Sequence, residues 1–597
     1  MRKTTIRKEM KIQMLKNIHP GIIFIVIGLF AAMGNSKTRK MILACCPVLA
    51  IISILNTDVT MGKGADLGFL SFLDGYTVKY FFVDPLSWVF TLVFCIMGTV
   101  GGIYSCHNKS PLEAFCSMAY VGSSIGVILA HDWITFIFFW ELEAATSLFL
   151  VWNNPDPRSA GAGFRYIVIH TLSGSAVLYG VVVKLMQGDF LVHNLVGGQH
   201  DAAFWAILFG VCINAAVVPL HGWLVDAYPL STLTGSVFMS SGTTKVAVYA
   251  LLRLFGGTEL LIFAGAIMSV YGATFAVMEN DMIKLLSYHI VSQVGYMVCG
   301  AGIGTMMAMN GATAHAFCHI LYKSLLFMCC NALIYATGVR KINQLGGMAK
   351  RYPLVCVCFI VAAFSIAGMP LFNGFVSKMM TVAAAEEAHM EMIALILELA
   401  SVGTFLSICF KMVYFIFLAP DKGMAPEKRQ IESNMNIAMV AGALLCTMIG
   451  LFPEMTLYRF LPFGGVTYVP YTAGKVLNQV IMFFAGAVPF LIYISKMEPH
   501  TATTLDFDWF YRRPFKTVCS GISSLCIGLC SSLGQAWGVG LSMAVDVCNN
   551  PMKFMDAKPF RVKKRYTPDN YRTSIADTIM IILTVLFICI FYFRTSY

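Results

Sequence analysis

The strongest constraint on this chain is the recurrence of long apolar segments along almost its whole length. A helix of about 20 predominantly apolar residues is long enough to cross the hydrocarbon core of a bilayer, and roughly 16 segments approach this length. They lie near 20–33, 41–55, 80–105, 113–130, 133–152, 164–186, 203–220, 233–255, 260–278, 283–302, 307–335, 353–378, 393–418, 436–452, 477–495 and 575–593. The sequence therefore predicts an all-α integral membrane protein.

The composition agrees with this class and excludes a soluble globular protein. Of the 597 residues, 58% are hydrophobic and only 12% are charged, and the mean hydropathy is +0.72. Soluble globular domains contain about 25% charged residues. The 19 cysteines lie mostly within apolar runs and include no CxxC pair, so we interpret them as small core residues.

Lysine and arginine predict which loops face the cytoplasm, since cytoplasmic loops normally carry the excess of these residues. With this set of spans, the loops that contain Lys109, Arg340 and Lys350 share one side, whereas the loop near 379–392 on the other side is acidic. We therefore assign the basic side to the cytoplasm. The same topology places the basic N-terminal tail outside, and it stays open whether the first span is misplaced or the tail lies at the interface.

Apart from Arg165, which lies at the very start of its span, seven basic residues fall within the predicted spans, where a charge costs several kcal/mol even on lenient insertion scales. They are Lys184, Lys245, Arg253, Lys284, Lys323, Lys378 and Lys411. Lys184 and Arg253 lie near helix ends, so we expect their side chains to reach the headgroups. Lys245, Lys323 and Lys378 lie deeper and are candidates for function.

Glu141 is the acidic residue most clearly in the middle of an apolar run, HDWITFIFFWELEAATSLFLVW. Glu143 lies about 200° further around a helix, so the two carboxylates cannot line one path. A buried lysine is the natural partner for one of them, and a static salt bridge between helices is the alternative. If Glu141 is that partner, Glu143→Gln should be much milder than Glu141→Gln.

His315, His319 and Lys323 recur at intervals of four in TAHAFCHILYKSLLFM. Eight residues turn a helix by only about 80° beyond two full turns, which places all three side chains on one stripe. Histidine binds and releases protons near neutral pH, so the stripe can relay protons. Zinc is the alternative, but lysine is not a zinc ligand, and we predict no metal here.

Two spans contain helix breakers directly before a lysine. AAVVPLHGWLVDAYPLSTLTGSVFMSSGTTK ends at Lys245, and AGMPLFNGFVSK ends at Lys378. Proline and glycine at membrane depth indicate broken helices whose backbone faces protein or water. One broken lysine helix in each half suggests an internal duplication.

Together these motifs resemble the antiporter-like proton-translocating membrane subunit family shared by respiratory complex I, membrane-bound hydrogenases and Mrp-type Na+/H+ antiporters, in particular its D/A-like members. The resemblance runs from Asp84 to Lys411 and rests on FFVDPLSW, Trp140–Glu141, PLHGWLVDA, DMIKLLSYHIVSQVGYM, the histidine stretch and GMPLFNGFVSK. It implies two inverted five-helix repeats containing broken helices. We place N-terminal helices at 1–112, the repeats at 113–280 and 281–435, and an amphipathic surface segment with a final span within 436–597.

The resemblance also implies a mechanism and a set of site residues. In that family a glutamate pairs with a lysine of a broken helix, and a second broken helix carries the exit lysine. The matching positions are Glu141, Lys245 and Lys378, with Lys284, His315, His319 and Lys323 in the connecting path. A unit-charge pair 4 Å apart contributes about 4 kcal/mol at an effective dielectric constant of 20, enough to change the proton affinity of a lysine strongly.

The sequence contains no dinucleotide fingerprint, P-loop or cysteine cluster for iron and sulfur. No cofactor is therefore expected, and redox energy would have to come from partner subunits of an NADH:quinone oxidoreductase-like or hydrogenase-like complex. The alternatives are a component of a Mrp-type Na+/H+ antiporter, a component of an inorganic-carbon transporter and a static membrane anchor. We expect a multi-pass protein of the cell (inner/plasma) membrane with other membrane subunits as partners and no nucleic acid, and Na+ transport stays open.

Overall fold

A computed structural model describes residues 18–57, 64–73, 76–423, 426, 429–499, 505–507, 509–510, 513–549 and 577–585. The chain divides into two units, Met1–Asp508 and Trp509–Tyr597. The basic N-terminal tail, the basic segment after residue 562 and most of the predicted last span lie outside the described residues.

Apolar helices form most of the first unit. In chain order they are α1 (Pro20–Met33), α2 (Ser36–Cys45), α3 (Val48–Leu55), α4 (Pro85–Ser105), α5 (Pro111–Ile128), α6 (Trp133–Trp152), α7 (Arg158–Met186), α8 (Ala202–Asn214), α9 (Gly222–Ala227), α10 (Leu233–Ser241), α11 (Thr243–Leu254), α12 (Glu259–Met278), α13 (Met282–Ile303), α14 (Met306–Thr337), α15 (Met348–Arg351), α16 (Pro353–Ala367), α17 (Asn373–Glu387), α18 (Glu391–Thr404), α19 (Ser433–Leu451), α20 (Pro453–Thr456) and α21 (Ala473–Ile492). Short 3-10 turns occupy Tyr228–Leu230, Ile342–Gln344 and Tyr458–Phe460, and the π-helical segment Phe405–Leu418 continues α18.

The predicted membrane class is confirmed. Within the described residues, 11 helices are long and apolar enough to cross a membrane. The predicted count of roughly 16 is not confirmed, because several predicted spans are built differently. The segment 41–55 belongs to one of the 11, Ser36–Leu55, whereas the segment 353–378 is divided between α16 and α17, each of 15 residues.

A β-hairpin precedes the helix that the sequence predicts to begin at residue 80. Strand β1 (Ala65–Leu73) pairs antiparallel with β2 (Tyr76–Val83), and Ala65 lies opposite Val83. Helix α4 begins only after Asp84, whose carboxylate and Ser87 form a capping box, with Pro85 in the first turn. These signals fix the start of the helix at Pro85, so the apolar residues before it are not part of the helix.

Both predicted breaks are present in the structure. Helix α10 ends at Gly242, and α11 begins immediately afterwards with Lys245 in its first turn. Helix α16 ends at Gly368, whose φ of 83° is a left-handed conformation that favours glycine, and α17 carries Lys378. A further interruption lies at 215–221, between α8 and α9.

The long helix α14 runs through the centre of the first unit. It packs against α10, α13, α16, α17 and α19, and every residue of its most apolar 18-residue stretch is buried. Lys323 lies near the middle of this helix. A helix buried on all sides places any polar side chain it carries in the protein interior rather than in lipid.

Asp506 anchors residues 505–507 to the core of the first unit. Its buried carboxylate accepts hydrogen bonds from His221 Nε2 at 3.2 Å, from Tyr288 Oη at 2.7 Å and from the hydroxyl of Tyr271. Burial raises the pKa of Asp506, but these three donors outweigh it and hold the pKa below its usual range. The carboxylate therefore ties together the segment before α9 and helices α12 and α13.

The second unit contains one long helix, α22 (Pro514–Asn549), at the place where the sequence predicts an amphipathic surface segment. Its described side chains are exposed within the unit. Residues 577–585 are also helical, inside the predicted last span.

Candidate functional site

The stripe on α14 is present as the spacing predicts. His315, His319 and Lys323 are all fully buried, and the two imidazole ring centroids lie 6.1 Å apart. His315 Nδ1 lies 3.5 Å from Ser377 Oγ on α17, one residue before Lys378. The stripe therefore extends from the middle of α14 to the second broken helix.

Lys378 lies in the second turn of α17 and is fully buried. Its Nζ stands 4.7 Å from the ring centroid of Tyr296 on α13, a distance suited to a cation–π interaction. A side chain at Gly374 would collide with the carbonyl oxygen of Ser365, so this glycine permits the close approach of α16 and α17.

Lys245 is bound at the other break. Its Nζ donates to the carbonyl oxygen of Ser240 at 2.5 Å and to Thr244 Oγ1 at 3.0 Å. The interruption at Gly242 leaves the last carbonyl groups of α10 without intrahelical partners, and the lysine uses one of them. Ser240 Oγ lies 3.5 Å from Ser324 Oγ, directly beside Lys323.

The three buried lysines lack a carboxylate partner within the described residues, where every ion pair involves other side chains. The Nζ atoms of Lys323 and Lys378 have no hydrogen-bond partner among the described protein atoms. A buried ammonium group without a counter-charge is costly. These are conditions in which a lysine can exchange its proton.

The structure does not bring Glu141 and Lys245 together. Glu141 is exposed on α6, and its carboxylate lies against Gly174 of α7. Glu143 is instead the interior residue, 1% exposed, and accepts a hydrogen bond from Ser124 Oγ at 2.8 Å. The prediction of opposite faces is therefore correct, but the rotation of the helix places the other carboxylate inside. A role of Glu141 in transport stays a prediction.

Lys284 lies at the edge of the site rather than in the buried row. It lies in the first turn of α13, its side chain is 34% exposed, and Nζ contacts Glu279 Oε2 at 2.8 Å. Burial raises the pKa of Glu279, but Lys284 outweighs this effect and holds the pKa below its usual range. Lys411 donates to the carbonyl oxygens of Val277 and Glu279 at 2.7 and 2.6 Å, so it caps the end of α12.

His289 is a fully buried residue of α13 that was not among the predicted site residues. Its Nε2 lies 2.7 Å from Ser407 Oγ. The sequence contains a signal for it, because His289, Gln293 and Tyr296 recur at intervals of four and three on one helix face. His289 therefore lies two turns before Tyr296, whose ring faces Lys378.

Arg253 was expected to reach the headgroups, but its side chain binds an acidic residue instead. Its guanidinium binds the carboxylate of Asp84 through two hydrogen bonds of 2.5 and 2.7 Å. Burial raises the pKa of Asp84, but Arg253 outweighs it and keeps the pKa below its usual range. The pair joins the start of α4 to the end of α11. Lys184, near the end of α7, is partly exposed as expected.

A polar cavity of about 960 Å³ opens among the loops that the sequence assigns to the cytoplasm, and Lys109, Arg340 and Arg429 line it. Glu113 in its wall accepts hydrogen bonds from Thr232, Thr234 and Asn153. Deeper in the cavity, Asn331 Nδ2 donates to Ser236 Oγ at 2.7 Å. Ser236 is one helical turn before Ser240, the partner of Lys245.

The described residues contain no group of three or more His, Cys, Asp or Glu side chains that could hold a metal ion. The buried polar groups are instead spread in a row between two helix breaks. Such a row of exchangeable groups fits the stepwise movement of protons.

The sequence model of the NADH:quinone oxidoreductase/Mrp antiporter transmembrane family matches residues 130–452, more than half of the chain. The chain belongs to this family. The matched residues of this antiporter family member include both helix breaks and the buried lysine–histidine row. The resemblance drawn from the motifs is therefore confirmed.

Relatives of this antiporter family member come from several kinds of complex. It is 26% identical over 496 residues to NADH-quinone oxidoreductase subunit N of Desulforudis audaxviator, covering 75% of this chain and 98% of the relative. It is 27% identical over 418 residues to hydrogenase-4 component B of Escherichia coli, covering 62% of each chain. The fold matches a chain in the structure of the Mrp complex from Dietzia sp. DQ12-45-1b with a TM-score of 0.67 and 21% identity, covering 79% of this chain and 99% of the other.

Proposed function

We propose that this antiporter-like membrane subunit carries protons through the buried row of lysines and histidines, as part of a multisubunit complex. The observation that supports the row most directly is the presence of three fully buried lysines, Lys245, Lys323 and Lys378, without carboxylate partners among the described residues. Buried ionisable groups in a membrane protein mark transport pathways by default.

The order of the groups suggests the route. A proton from the polar cavity reaches Lys245 at the first break, where Ser240 Oγ lies 3.5 Å from the hydroxyl of Ser324, the residue next to Lys323. His319 lies one helical turn from both His315 and Lys323 on α14, so it lies among the steps of the row. His315 then leads to Ser377 and Lys378, from which the proton leaves.

Electrostatic repulsion supplies the coupling in this proposal. Two ammonium groups in a low-dielectric interior repel each other by several kcal/mol at short range. A proton that arrives at Lys245 therefore favours release of the proton at Lys323 or His319, and the same effect continues to Lys378. The two repeats proposed at 113–280 and 281–435 each contain one of the broken lysine helices.

The relatives support two kinds of complex. The names of some relatives, NADH-quinone oxidoreductase subunit N and hydrogenase-4 component B, favour a redox-driven pump in the cell (inner/plasma) membrane with other membrane subunits as partners. A Na+/H+ antiporter complex is the second candidate, since another relative is a Na(+)/H(+) antiporter subunit of Alkalihalophilus pseudofirmus. Inorganic-carbon transport and a static anchor are the other outcomes of the test.

The test is Lys378→Ala in the purified complex, reconstituted in vesicles under an imposed pH gradient. We expect proton flux to fall to that of protein-free vesicles, because the row loses its final site. Lys184→Ala is the matched control and should stay within about twofold of the parent, since a partly exposed lysine at a helix end contributes little. Parent-like flux in an assembled Lys378→Ala complex would exclude the row as the path. Dependence of the parent flux on Na+ would favour the antiporter.

A further inference from the structure

We propose that Glu143 is a proton-carrying carboxylate between the polar cavity and Lys245. This inference rests on the proposed proton path and adds a residue to it. Glu141, which the family resemblance selects, is exposed, whereas Glu143 lies in the interior, on a helix that packs against α10.

Glu143 has the surroundings of a group that exchanges a proton. Its carboxylate is 1% exposed, and Ser124 is its one hydrogen-bond donor among the described residues. A buried polar group is normally satisfied by several hydrogen bonds, and a carboxylate has about four lone-pair sites. The group therefore has room to bind a proton, and gaining or losing that proton changes the charge beside the break.

The hydroxyl groups of Tyr120 and Thr243 join α5, the helix whose Ser124 donates to Glu143, to the break before Lys245. Ser124 and Tyr120 lie one turn apart on α5. The hydroxyl of Tyr120 accepts a hydrogen bond from the backbone N–H of Thr243 at 2.6 Å and lies 2.9 Å from Thr243 Oγ1. Thr243 is the first residue of α11, two residues before Lys245.

Aromatic and hydroxyl side chains lie between the cavity wall and Glu143. Tyr228 lines the cavity, and its ring centroid lies 6.0 Å from that of Trp223. The Trp223 ring lies 5.5 Å from the ring of Tyr166. Tyr166 Oη lies 2.8 Å from Ser147 Oγ, which is 2.8 Å from the backbone carbonyl oxygen of Glu143.

The proposed step is a simple proton transfer. The O–H bond of protonated Glu143 breaks, and each intervening hydroxyl group accepts one proton and releases another. An N–H bond then forms on the neutral amine of Lys245, which leaves a carboxylate and an ammonium ion. When Lys245 passes its proton along the row, Glu143 binds the next proton from the cavity side.

The experiment compares Glu143→Gln with Glu259→Gln in the reconstituted complex. Loss of a positioned acid–base group typically costs 100-fold or more, so we expect the flux of Glu143→Gln to fall about 100-fold. Glu259→Gln should stay within about threefold of the parent, because Glu259 is exposed in the first turn of α12. The carboxylic-acid C=O band in infrared difference spectra on a pH jump should disappear in Glu143→Gln and persist in Glu259→Gln.

Parent-like flux in Glu143→Gln overturns this inference. If that variant does not assemble, Tyr120→Phe carries the test, because it removes only the hydroxyl group, and parent-like flux there has the same meaning. The proposed function is tested separately by Lys378→Ala. If Lys378→Ala abolishes proton flux and Glu143→Gln does not, the buried row remains the proposed path and Glu143 is not part of it.

Discussion

At the residue scale, the two imidazoles of α14 are the groups most suited to pass protons near neutral pH. Neither nitrogen of His319 has a hydrogen-bond partner among the described protein atoms, and the same holds for His315 Nε2. Unpaired polar atoms in a buried site are costly unless water or a moving proton satisfies them. The two histidines therefore fit intermediate steps of the path better than packing positions.

Replacing either histidine alone should slow proton flux rather than stop it. We expect His315→Ala and His319→Ala each to lower the flux about tenfold, because a water molecule can bridge the place of the missing ring. Flux under an imposed pH gradient measures this effect, with the exposed His193→Ala as the control. Parent-like flux in both single variants would show that the stripe only packs.

The pair of Asp84 and Arg253 should contribute to stability in a pH-dependent way. Asp84→Asn leaves a guanidinium that is only 17% exposed without its charged partner, which typically costs about 3 kcal/mol. Since the pKa of Asp84 is lowered in the folded chain, the contribution is complete above the unfolded value of about 3.9 and is lost as the pH falls through the folded value. Thermal unfolding in detergent at several pH values measures it.

The control for this prediction is Asp156→Asn, which removes an exposed ion pair with Arg158. Exposed pairs contribute little, so the unfolding temperature should hardly change. An equal effect of the two substitutions would contradict the importance of burial for the pair.

The burial of individual residues could be predicted from the sequence where a local pattern alone determines it. Lys245, Lys323 and Lys378 are buried because a charged residue in the middle of an apolar run has nowhere else to go once the helix folds. The choice between Glu141 and Glu143 failed because the rotation of a helix depends on its neighbours. The partner of Arg253 is 169 residues away, which no local pattern reveals.

At the element scale, the breaks place backbone groups and lysines together. The Gly242 interruption frees carbonyl groups at the end of α10, and the first turn of α11 supplies the lysine that binds one of them. The break before Lys378 differs, because there Nζ faces an aromatic ring instead of a carbonyl group. The two lysine sites are therefore not equivalent in their contacts, although both follow a glycine.

Gly242→Ala should block transport without preventing insertion. A Cβ atom at this position would collide with the ring and hydroxyl of Tyr120, so the hydrogen bond between Tyr120 and Thr243 would be lost. We expect a loss of flux of at least tenfold, as when a hydrogen-bonded step of a relay is removed. Gly474→Ala is the control, because nothing lies within 4 Å of the added atom. Equal flux in both variants would contradict a role for this break.

Element prediction was limited mainly by context. Helix breakers predicted both interruptions, since proline and glycine act locally. The β-hairpin was missed because its second strand runs directly into an apolar helix, and only the Asp84–Pro85 start signal separates them. Helix α2 contains Lys37, Arg39 and Lys40, and its polar first half lies outside the segment that the apolar run predicts.

At the scale of the whole molecule, the basic loops and the polar cavity lie at the same place. The loops rich in lysine and arginine surround the polar cavity, and the sequence independently assigns these loops to the cytoplasm. Many large apolar side chains on α7, α18 and α21 are exposed on this single chain. Such surfaces are covered by lipid or by other subunits, which agrees with the complexes in which relatives occur.

Asp506 is synthesised long after the helices that it joins. Tyr288 is synthesised 218 residues before Asp506, so α9, α12 and α13 insert and pack while the carboxylate that joins them does not yet exist. Until then His221 is buried without its acidic partner, and an unsatisfied buried group costs about 1–3 kcal/mol. The nascent protein therefore lacks the link between the start of α9 and helices α12 and α13 until residue 506 has been synthesised.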